Sequence, residues 1–525
     1  MSTLTKYKFE GTEMNNKLLM GHPSGLFILF FTEMWERFSY YGMRALLVLF
    51  LTSALMDGGW AWSREDALGL YGTYTMLVYF TPIIGGILAD RLLGYRNAVA
   101  LGAFLMTLGH AAMAFDTPWA LYLGIGLLIA GNGFFKPNIT SIINGVYKNA
   151  QEKKDGAFTI FYMGVNAGAF LGIMLCGYVG ETYGWHYGFG LAGIFMFLGM
   201  LQFWFAQSIF GKVGLKPTKE VDVSDAIENE NEKVKSYDDV PPSHQRDRYI
   251  VVGILAFFTI FFWAAFEQAG GSMTIFAKDY TNRVLEGSAA NIFRISNTLL
   301  TVVPLAIITY VLLQLFKITF KKYTLSNLFL GLSFTIIWVI VIIMLKNQFS
   351  QTSTEIPASW FGILNSFFII SFAPLFSKIW ESKFNPPATV KFGIGLILLG
   401  LGFSVLAYGS ASIPQGAKTA SVSVIWLILA YLLHTLGELS LSPVGLSYVS
   451  KLVPGKMIAM MFGLWYIAVG MGNKLAGSMG GMIDEITTKY SMSTFFLIFT
   501  IVPIIAGIII ISLTPIMKKL MHGVK

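Results

Sequence analysis

The chain has 525 residues, of which 55% are hydrophobic, 15% aromatic and only 13% charged, and its mean hydropathy is +0.63. This composition is typical of a helical protein with several membrane-spanning segments and argues against a soluble fold. The net charge of +8 could suggest nucleic-acid binding, but the basic residues cluster between apolar runs, as membrane topology requires. The single cysteine, Cys176, excludes an intramolecular disulfide.

Apolar runs of about 20 residues, each long enough to cross the hydrocarbon core of a bilayer, recur along the whole chain. Lys and Arg concentrate in alternate connecting segments, including both ends of the chain, and the positive-inside rule therefore predicts that both termini are cytoplasmic. We predict fourteen spans, at 24–52, 68–89, 97–115, 119–143, 157–180, 186–209, 249–276, 293–316, 325–346, 360–382, 389–408, 422–448, 457–482 and 492–516.

A highly charged stretch divides these spans into two halves. Residues 211–248 are too polar to bury and predict a flexible cytoplasmic linker. It separates an N-terminal six-helix bundle, 1–210, from a C-terminal part, 249–525. The second part is longer than the first, and we assign the excess to a transmembrane hairpin inserted at about 293–346.

The two halves also repeat weakly in sequence. Gly131-x5-Pro137 in the first half resembles Gly437-x5-Pro443 in the second. Two further pairs of short motifs occur in the same order, in spans 1 and 5 and their counterparts in the second half. Parallel repeats of this kind are typical of transporters built from two six-helix bundles.

The first span contains charges that a bilayer rarely tolerates. Within EMWERFSYYGMR, Glu33, Glu36, Arg37 and Arg44 are all expected inside the membrane, where an ionised side chain costs roughly 3 kcal/mol or more. At about 100° per residue, these groups fall on one face of the helix. Two carboxylates beside one guanidinium can form a coupled site in which one acid holds a proton. The alternative is a static ion-pair seam between helices.

Longer motifs give these charges a context. Glu33-x2-Glu36-Arg37-Phe38-x-Tyr40-Tyr41, GNGFFKPNI (131–139), FYMGVNAGAF (161–170) and GELSLSPVGLS (437–447) resemble signatures of the proton-dependent oligopeptide transporter family. GGILADRLLGYR (85–96) resembles the general loop motif of the major facilitator superfamily. The resemblance covers the chain apart from the linker and the hairpin. It implies the major facilitator fold, two six-helix bundles that alternate access to a central cavity, here with the additional hairpin.

The resemblance also implies roles for individual residues. Glu33, Glu36 and Arg37 would couple proton movement to transport, and Arg44–Glu267 and Lys136–Glu438 would be gating pairs on the outer and inner sides. The peptide would be bound by Arg37, Tyr41, Arg44, Tyr79, Lys136, Asn166, Trp263, Asn365, Glu438 and Trp465.

The expected function is proton-coupled import of di- and tripeptides across the cytoplasmic membrane. No nucleotide-binding loop or hydrolase motif occurs in the sequence, so we expect neither an enzyme nor a cofactor, and the proton gradient would supply the energy. The expected partners are small peptides, protons and the lipid bilayer, with no nucleic acid and no obligate protein partner. Two alternatives remain: a related transporter of another small anion or conjugate such as nitrate, and a membrane sensor that does not transport.

Overall fold

The computed structural model describes residues 8–216, 241–382, 385–454 and 457–524, and within them the chain is almost entirely α-helical. The predicted linker falls largely on residues 217–240, which lie outside the described part. The α-helices are α1 Ser24–Thr52, α2 Arg64–Leu88, α3 Tyr95–Met113, α4 Pro118–Val146, α5 Lys154–Tyr183, α6 Trp185–Ala206, α7 Pro242–Phe266, α8 Ser272–Asp279, α9 Gly287–Thr319, α10 Thr324–Ser350, α11 Ile363–Glu381, α12 Ala388–Gly409, α13 Ile425–Leu452, α14 Ile458–Gly481, α15 Ile483–Lys489, α16 Met492–Ser512 and α17 Thr514–Leu520.

In the described part of the chain, short strands and 3₁₀ or π-helical turns lie at the ends of these helices or in their connections. Within the described residues there are three two-stranded pairings: β1 (Leu18–Leu19) with β2 (His22–Pro23), antiparallel; β3 (Thr281–Asn282) with β6 (Val422–Ser423), parallel; and β4 (Val284–Leu285) with β5 (Thr354–Glu355), antiparallel. The 3₁₀ segments are Leu55–Asp57, Gln151–Lys153, Gln207–Phe210, Glu267–Gly270 and Ala358–Gly362, and a π-helical turn follows α2 at Ala89–Leu93.

Helix length and composition agree with a protein of many membrane spans. Eleven helices in the described part of the chain are long and apolar enough to cross a bilayer. Three further predicted spans correspond to α1, α3 and α14, helices of 29, 19 and 24 residues. The predicted hairpin is present as α9 and α10, which extend beyond its predicted bounds of about 293–346.

The described residues form two compact units. One takes in the described parts of 1–60, 81–217 and 283–363, and the other those of 61–80, 218–282 and 364–525. The hairpin α9–α10 therefore belongs to the same unit as α1 and α3–α6, although it follows α7 in the chain. The two compact units are defined by contacts between residues, whereas the predicted bundles were defined by their order in the chain. The predicted division therefore remains a prediction.

In the first unit, a row of glycines on α5 fixes the position of α1. A Cβ atom on Gly164, Gly168 or Gly172 would lie 2.9, 2.2 or 2.3 Å from the carbonyl oxygens of Phe30, Met34 and Phe38, respectively. These three glycines are spaced four residues apart, so they lie along one face of the helix. Small residues in such rows let two helix backbones approach closely. The approach holds the charged segment of α1 in register with α5.

The 3₁₀ segment Ala358–Gly362, which follows the hairpin, is attached to α5 by polar contacts. Glu181, near the end of α5, accepts hydrogen bonds from the amides of Ala358 and Ser359 at 2.8 and 2.9 Å, and from the Ser359 hydroxyl at 2.5 Å. Trp360 Nε1 donates to the carbonyl of Met174 at 3.0 Å. Backbone amides at the start of this 3₁₀ segment are therefore satisfied by a side chain of α5.

Candidate functional site

The charged face of α1 forms a closed ion-pair cluster. Arg37 Nε donates to Glu33 Oε1 at 2.9 Å and lies 2.5 Å from Glu36 Oε2. Asn132 Nδ2, on α4, donates to Glu36 Oε1 at 2.9 Å. All four side chains are buried, with Glu36 0% exposed. We call Glu33, Glu36, Arg37 and Asn132 the helix-1 cluster.

The helix-1 cluster has unequal charges and unused polar atoms. Two carboxylates contact one guanidinium, so full ionisation of these groups leaves one negative charge that must be balanced from outside the cluster, because an uncompensated buried charge is costly. Within the described residues, Glu33 Oε2 and Arg37 Nη2 are buried without a hydrogen-bond partner. Since buried polar atoms are normally satisfied, unpaired ones require an explanation. A proton on one carboxylate would reduce the negative charge of the cluster. An anionic ligand on the guanidinium would accept a hydrogen bond from the unused donor.

Two more bases of the first unit stand near the cluster. Lys136 on α4 interacts electrostatically with both carboxylates, and Arg44 interacts with Lys136. Both bases are half-buried, and the Arg44 guanidinium carbon lies 5.8 Å from the centre of the Tyr41 ring. Asn166 on α5 is buried, and its amide donates to the Tyr162 carbonyl at 3.0 Å. The first unit thus brings together every base predicted to bind a substrate carboxylate.

In the second unit, an acid stands among neutral hydrogen-bond partners. Asn365 Nδ2 on α11 donates to Glu438 Oε2 on α13 at 2.9 Å and to Thr435 Oγ1 at 3.2 Å. Thr435 lies one helical turn before Glu438, so both face α11. Glu438 has no salt bridge within the described residues. Its surroundings therefore suit a cationic group better than an anion.

The second predicted gating acid, Glu267, lies in the 3₁₀ turn after α7. Tyr71 of α2 donates its hydroxyl to Glu267 Oε2 at 3.2 Å, and the carboxylate is 3% exposed. The predicted pairs Arg44–Glu267 and Lys136–Glu438 each join residues from different compact units. Both pairs therefore remain predictions.

The predicted aromatic residues of the second unit each lie near another aromatic ring. The Tyr79 ring centre lies 6.3 Å from that of Tyr466, and the Trp465 ring centre lies 6.1 Å from that of Phe392. Trp465 is 4% exposed, whereas Trp263 is half-buried. These side chains offer apolar walls with polar edges, which suits varied side chains in a ligand.

Sequence reasoning missed an ion-pair network at the start of α2. Arg64 donates to Asp279 Oδ2 and to Asp484 Oδ1, each at 2.7 Å, and to the Tyr280 hydroxyl at 3.1 Å. Its side chain is 12% exposed. Arg64 lies before the predicted second span and belongs to no recognised motif, so only its charge next to an apolar run could have drawn attention to it.

Backbone packing reinforces the attachment of α2 to the second unit. A Cβ atom on Gly72 would lie 2.8 Å from the Cα atom of Gly477 on α14. One turn away, Lys474 Nζ donates to Thr73 Oγ1 at 2.7 Å. Residues 61–80 therefore join the second unit through close helix contact as well as charge.

Comparison with known proteins places these features in a family. A family model described as PTR2, POT family, matches residues 96–234 and 333–498. The chain is 33% identical over 97% of both sequences to an uncharacterized transporter, YclF, of Bacillus subtilis, and 30% identical over 97% of both to the peptide transporter YePEPT of Yersinia enterocolitica.

Solved structures agree. A peptide transporter POT in complex with sulfate matches with a TM-score of 0.74 at 29% identity, covering 97% of both chains. A POT family transporter in complex with 5-aminolevulinic acid also matches with a TM-score of 0.74, at 26% identity, covering 95% of this chain and 98% of the other. The expected all-α fold of the major facilitator type is therefore confirmed, as is the expectation of a transporter rather than an enzyme. The chain belongs to the POT family of membrane transporters.

Proposed function

We propose that the protein is a symporter that imports di- and tripeptides together with protons. The observation that carries this proposal is the helix-1 cluster, in which two buried carboxylates share one guanidinium that still has an unused donor. Two relatives support the substrate class: one is named a peptide transporter, and another was crystallised with 5-aminolevulinic acid, a molecule with one amine and one carboxylate.

The first unit would bind the negative end of the peptide. Arg37, Arg44 and Lys136 offer positive charge there, assisted by Tyr41 and Asn166. A peptide carboxylate near Arg37 would compete with Glu33 and Glu36 for the guanidinium. Because an acid that loses its cationic partner binds a proton more readily, peptide binding and protonation would favour each other.

The second unit would bind the positive end. Glu438 is the acid available there, and Asn365 holds one of its oxygens so that the other can face a ligand. Tyr79, Trp263 and Trp465 would bound the side-chain pockets. Only the termini are common to all peptides, so recognition of terminal charges permits many side chains. A small inorganic anion such as nitrate would leave Glu438 without a role.

The remaining charges would govern alternating access, with both termini in the cytoplasm. Arg44 and Glu267 would pair on the outer side, and Lys136 and Glu438 on the inner side, whenever no peptide is bound. Because the gates and the ligand use the same charges, peptide binding would release one arrangement in favour of the other. Symport of one proton with a neutral zwitterion carries positive charge inward, so the membrane potential contributes about 2.3 kcal/mol per 100 mV.

Uptake by reconstituted protein tests this proposal. Proteoliposomes with an imposed inward proton gradient should accumulate labelled dialanine, and excess unlabelled tripeptide should reduce that accumulation. If uptake does not depend on the gradient, the symport proposal is wrong.

A variant separates proton coupling from peptide binding. Glu36→Gln should abolish gradient-driven accumulation but retain peptide counterflow, because the glutamine cannot exchange a proton but still fits the site. The exposed Glu485→Gln is the matched control and should retain both activities. Loss of counterflow in Glu36→Gln would instead show that the helix-1 cluster serves structure or substrate binding alone.

A further inference from the structure

A groove on the first unit is unrelated to the proposed peptide site. It has a volume of about 640 Å³ and runs between α3 and α6. Its walls are apolar apart from Asn97 and include Ala100, Phe104, Trp204 and Phe205. Phe104 and Trp204 are 48% and 54% exposed, so the groove opens sideways from helices that cross the membrane. Its occupant must therefore be apolar along most of its length.

The groove is short enough to lie within one leaflet of a bilayer. Its wall begins at Leu93, in the π-helical turn, and continues on α3 from Asn97 to Phe104, seven residues or about 10 Å of helix. Half of the hydrocarbon core is about 15 Å thick. The groove starts at the first turn of α3 and ends within the membrane, as a site for an acyl chain would.

One end of the groove, at the start of α3, lies beside positively charged residues, and we call this end its mouth. The segment after α6 crosses the start of α3, because Arg96 N donates to the Gly214 carbonyl at 2.9 Å and Arg96 Nη1 to the Gly211 carbonyl at 2.8 Å. Lys212 and Lys216 in this segment are exposed. They belong to the segment that crosses the start of α3, next to the end of the apolar wall formed by Leu93 and Asn97.

The hairpin adds more positive charge on the same side. Phe205, in the groove wall, stacks on Phe329 of α10 with ring centres 5.8 Å apart. Tyr323, at the tip of the hairpin, accepts a hydrogen bond from Ser208 at 3.5 Å. The adjoining Lys321 and Lys322 are exposed. The tip of the hairpin therefore lies beside the mouth of the groove.

We propose that this groove binds an anionic phospholipid of the cytoplasmic leaflet. An acyl chain would lie along α3 and α6, and the phosphate would face Lys212, Lys216 and the hairpin lysines. Basic pockets between membrane helices on the cytoplasmic side commonly bind anionic headgroups. Asp90 and Arg91, both exposed at the π-helical turn after α2, are opposite charges and leave the lysines in excess. The assignment to the cytoplasmic leaflet rests on the proposed function, in which both termini are cytoplasmic. The lipid site itself does not depend on that orientation.

Lipid retention tests the inference without measuring transport. The full-length protein is released from nanodiscs containing equal amounts of phosphatidylglycerol and phosphatidylcholine with identical chains, and retained lipids are counted by native mass spectrometry. We expect one phosphatidylglycerol to be retained at least about fivefold more often than phosphatidylcholine, as expected for even one lysine acting on an anionic lipid. Lys212→Gln/Lys216→Gln/Lys322→Gln should remove this preference.

Two further variants separate the groove from general surface charge. The control Lys148→Gln/Lys518→Gln/Lys519→Gln removes three lysines elsewhere and should keep the preference. Leu101→Trp narrows the groove with a bulky ring and should lower retention of both lipids. Equal retention of the two lipids by the unaltered protein, equal loss in the two triple variants, or a dimer that carries no lipid would overturn the proposal. The last result would assign the groove to a second copy of the chain.

Discussion

The contact between α5 and the 3₁₀ segment Ala358–Gly362 can be tested at one glutamate. In Glu181→Gln, the remaining side-chain oxygen can still accept from the Ser359 amide and hydroxyl. The new NH₂ group would face the Ala358 amide, which now donates to Glu181 Oε2 at 2.8 Å. One hydrogen bond is lost and one backbone donor is left opposite another donor.

The size of the effect follows from that geometry. A hydrogen bond to a charged group contributes about 1.5–3 kcal/mol, and an unsatisfied buried donor costs about 1–3 kcal/mol. Glu181 is only half-buried, so water can relieve part of the loss, and we expect a destabilisation of about 2 kcal/mol, slightly below the sum of the two lower limits. If the segment opens locally, its amides should exchange about thirtyfold faster, since 1.36 kcal/mol is a factor of ten.

Hydrogen–deuterium exchange, followed by mass spectrometry on peptides covering residues 354–363, measures this directly. Ser359→Ala removes only the hydroxyl contact and should give a smaller acceleration, while Glu485→Gln should give none. The reasoning fails if Glu181→Gln exchanges no faster than Glu485→Gln in this segment. It also fails if exchange rises equally throughout the protein, because the change would then be global destabilisation.

Three further predictions concern binding, packing and pH. Asn365→Ala should raise the KM for dialanine about tenfold with a smaller change in kcat, because losing the 2.9 Å contact frees Glu438 to turn away; an unchanged KM would contradict this. Gly72→Ala should strongly reduce uptake, because its Cβ would meet backbone at 2.8 Å, whereas Gly69→Ala, with open space around it, should not. Burial, followed by the charge of nearby Lys153, lowers the pKa of His22, so the folded state favours the neutral imidazole. The contribution of this preference to stability is present above the unfolded pKa of about 6.5 and is lost as the pH falls below it. Thermal stability should therefore decline between about pH 6.5 and 5, and His22→Gln should flatten that decline; identical profiles would contradict the argument.

Periodicity made part of this molecule predictable from sequence. The helical spacing of Glu33, Glu36 and Arg37 placed them on one face, and they do meet through Arg37 Nε. The bounds of α1 were also predictable, because an apolar run flanked by polar residues leaves little choice of where the helix crosses the membrane.

Contacts between distant helices were not predictable in the same way. Asn132 lies 96 residues from its partner Glu36, and a polar residue in an apolar helix does not identify its partner, so nothing in its neighbourhood indicates the pairing. The hairpin is a similar case, since its hydropathy predicts two spans but not which bundle they contact. That choice depends on isolated groups of the hairpin such as Ser326, which donates to the Gln202 carbonyl of α6, and Asn347, which donates to the Tyr178 hydroxyl of α5.

The glycine row on α5 has a consequence for the tolerance of α1 to mutation. Its contacts run to main-chain oxygens of Phe30, Met34 and Phe38, atoms that every amino acid possesses. Side chains at these three positions can therefore diversify without moving Glu33 or Arg37 along the helix axis. The glycines themselves have no such freedom, because even one methyl group would displace the neighbouring backbone. Substitutions at these positions of α1 are thus tolerated because the glycines of α5 are kept.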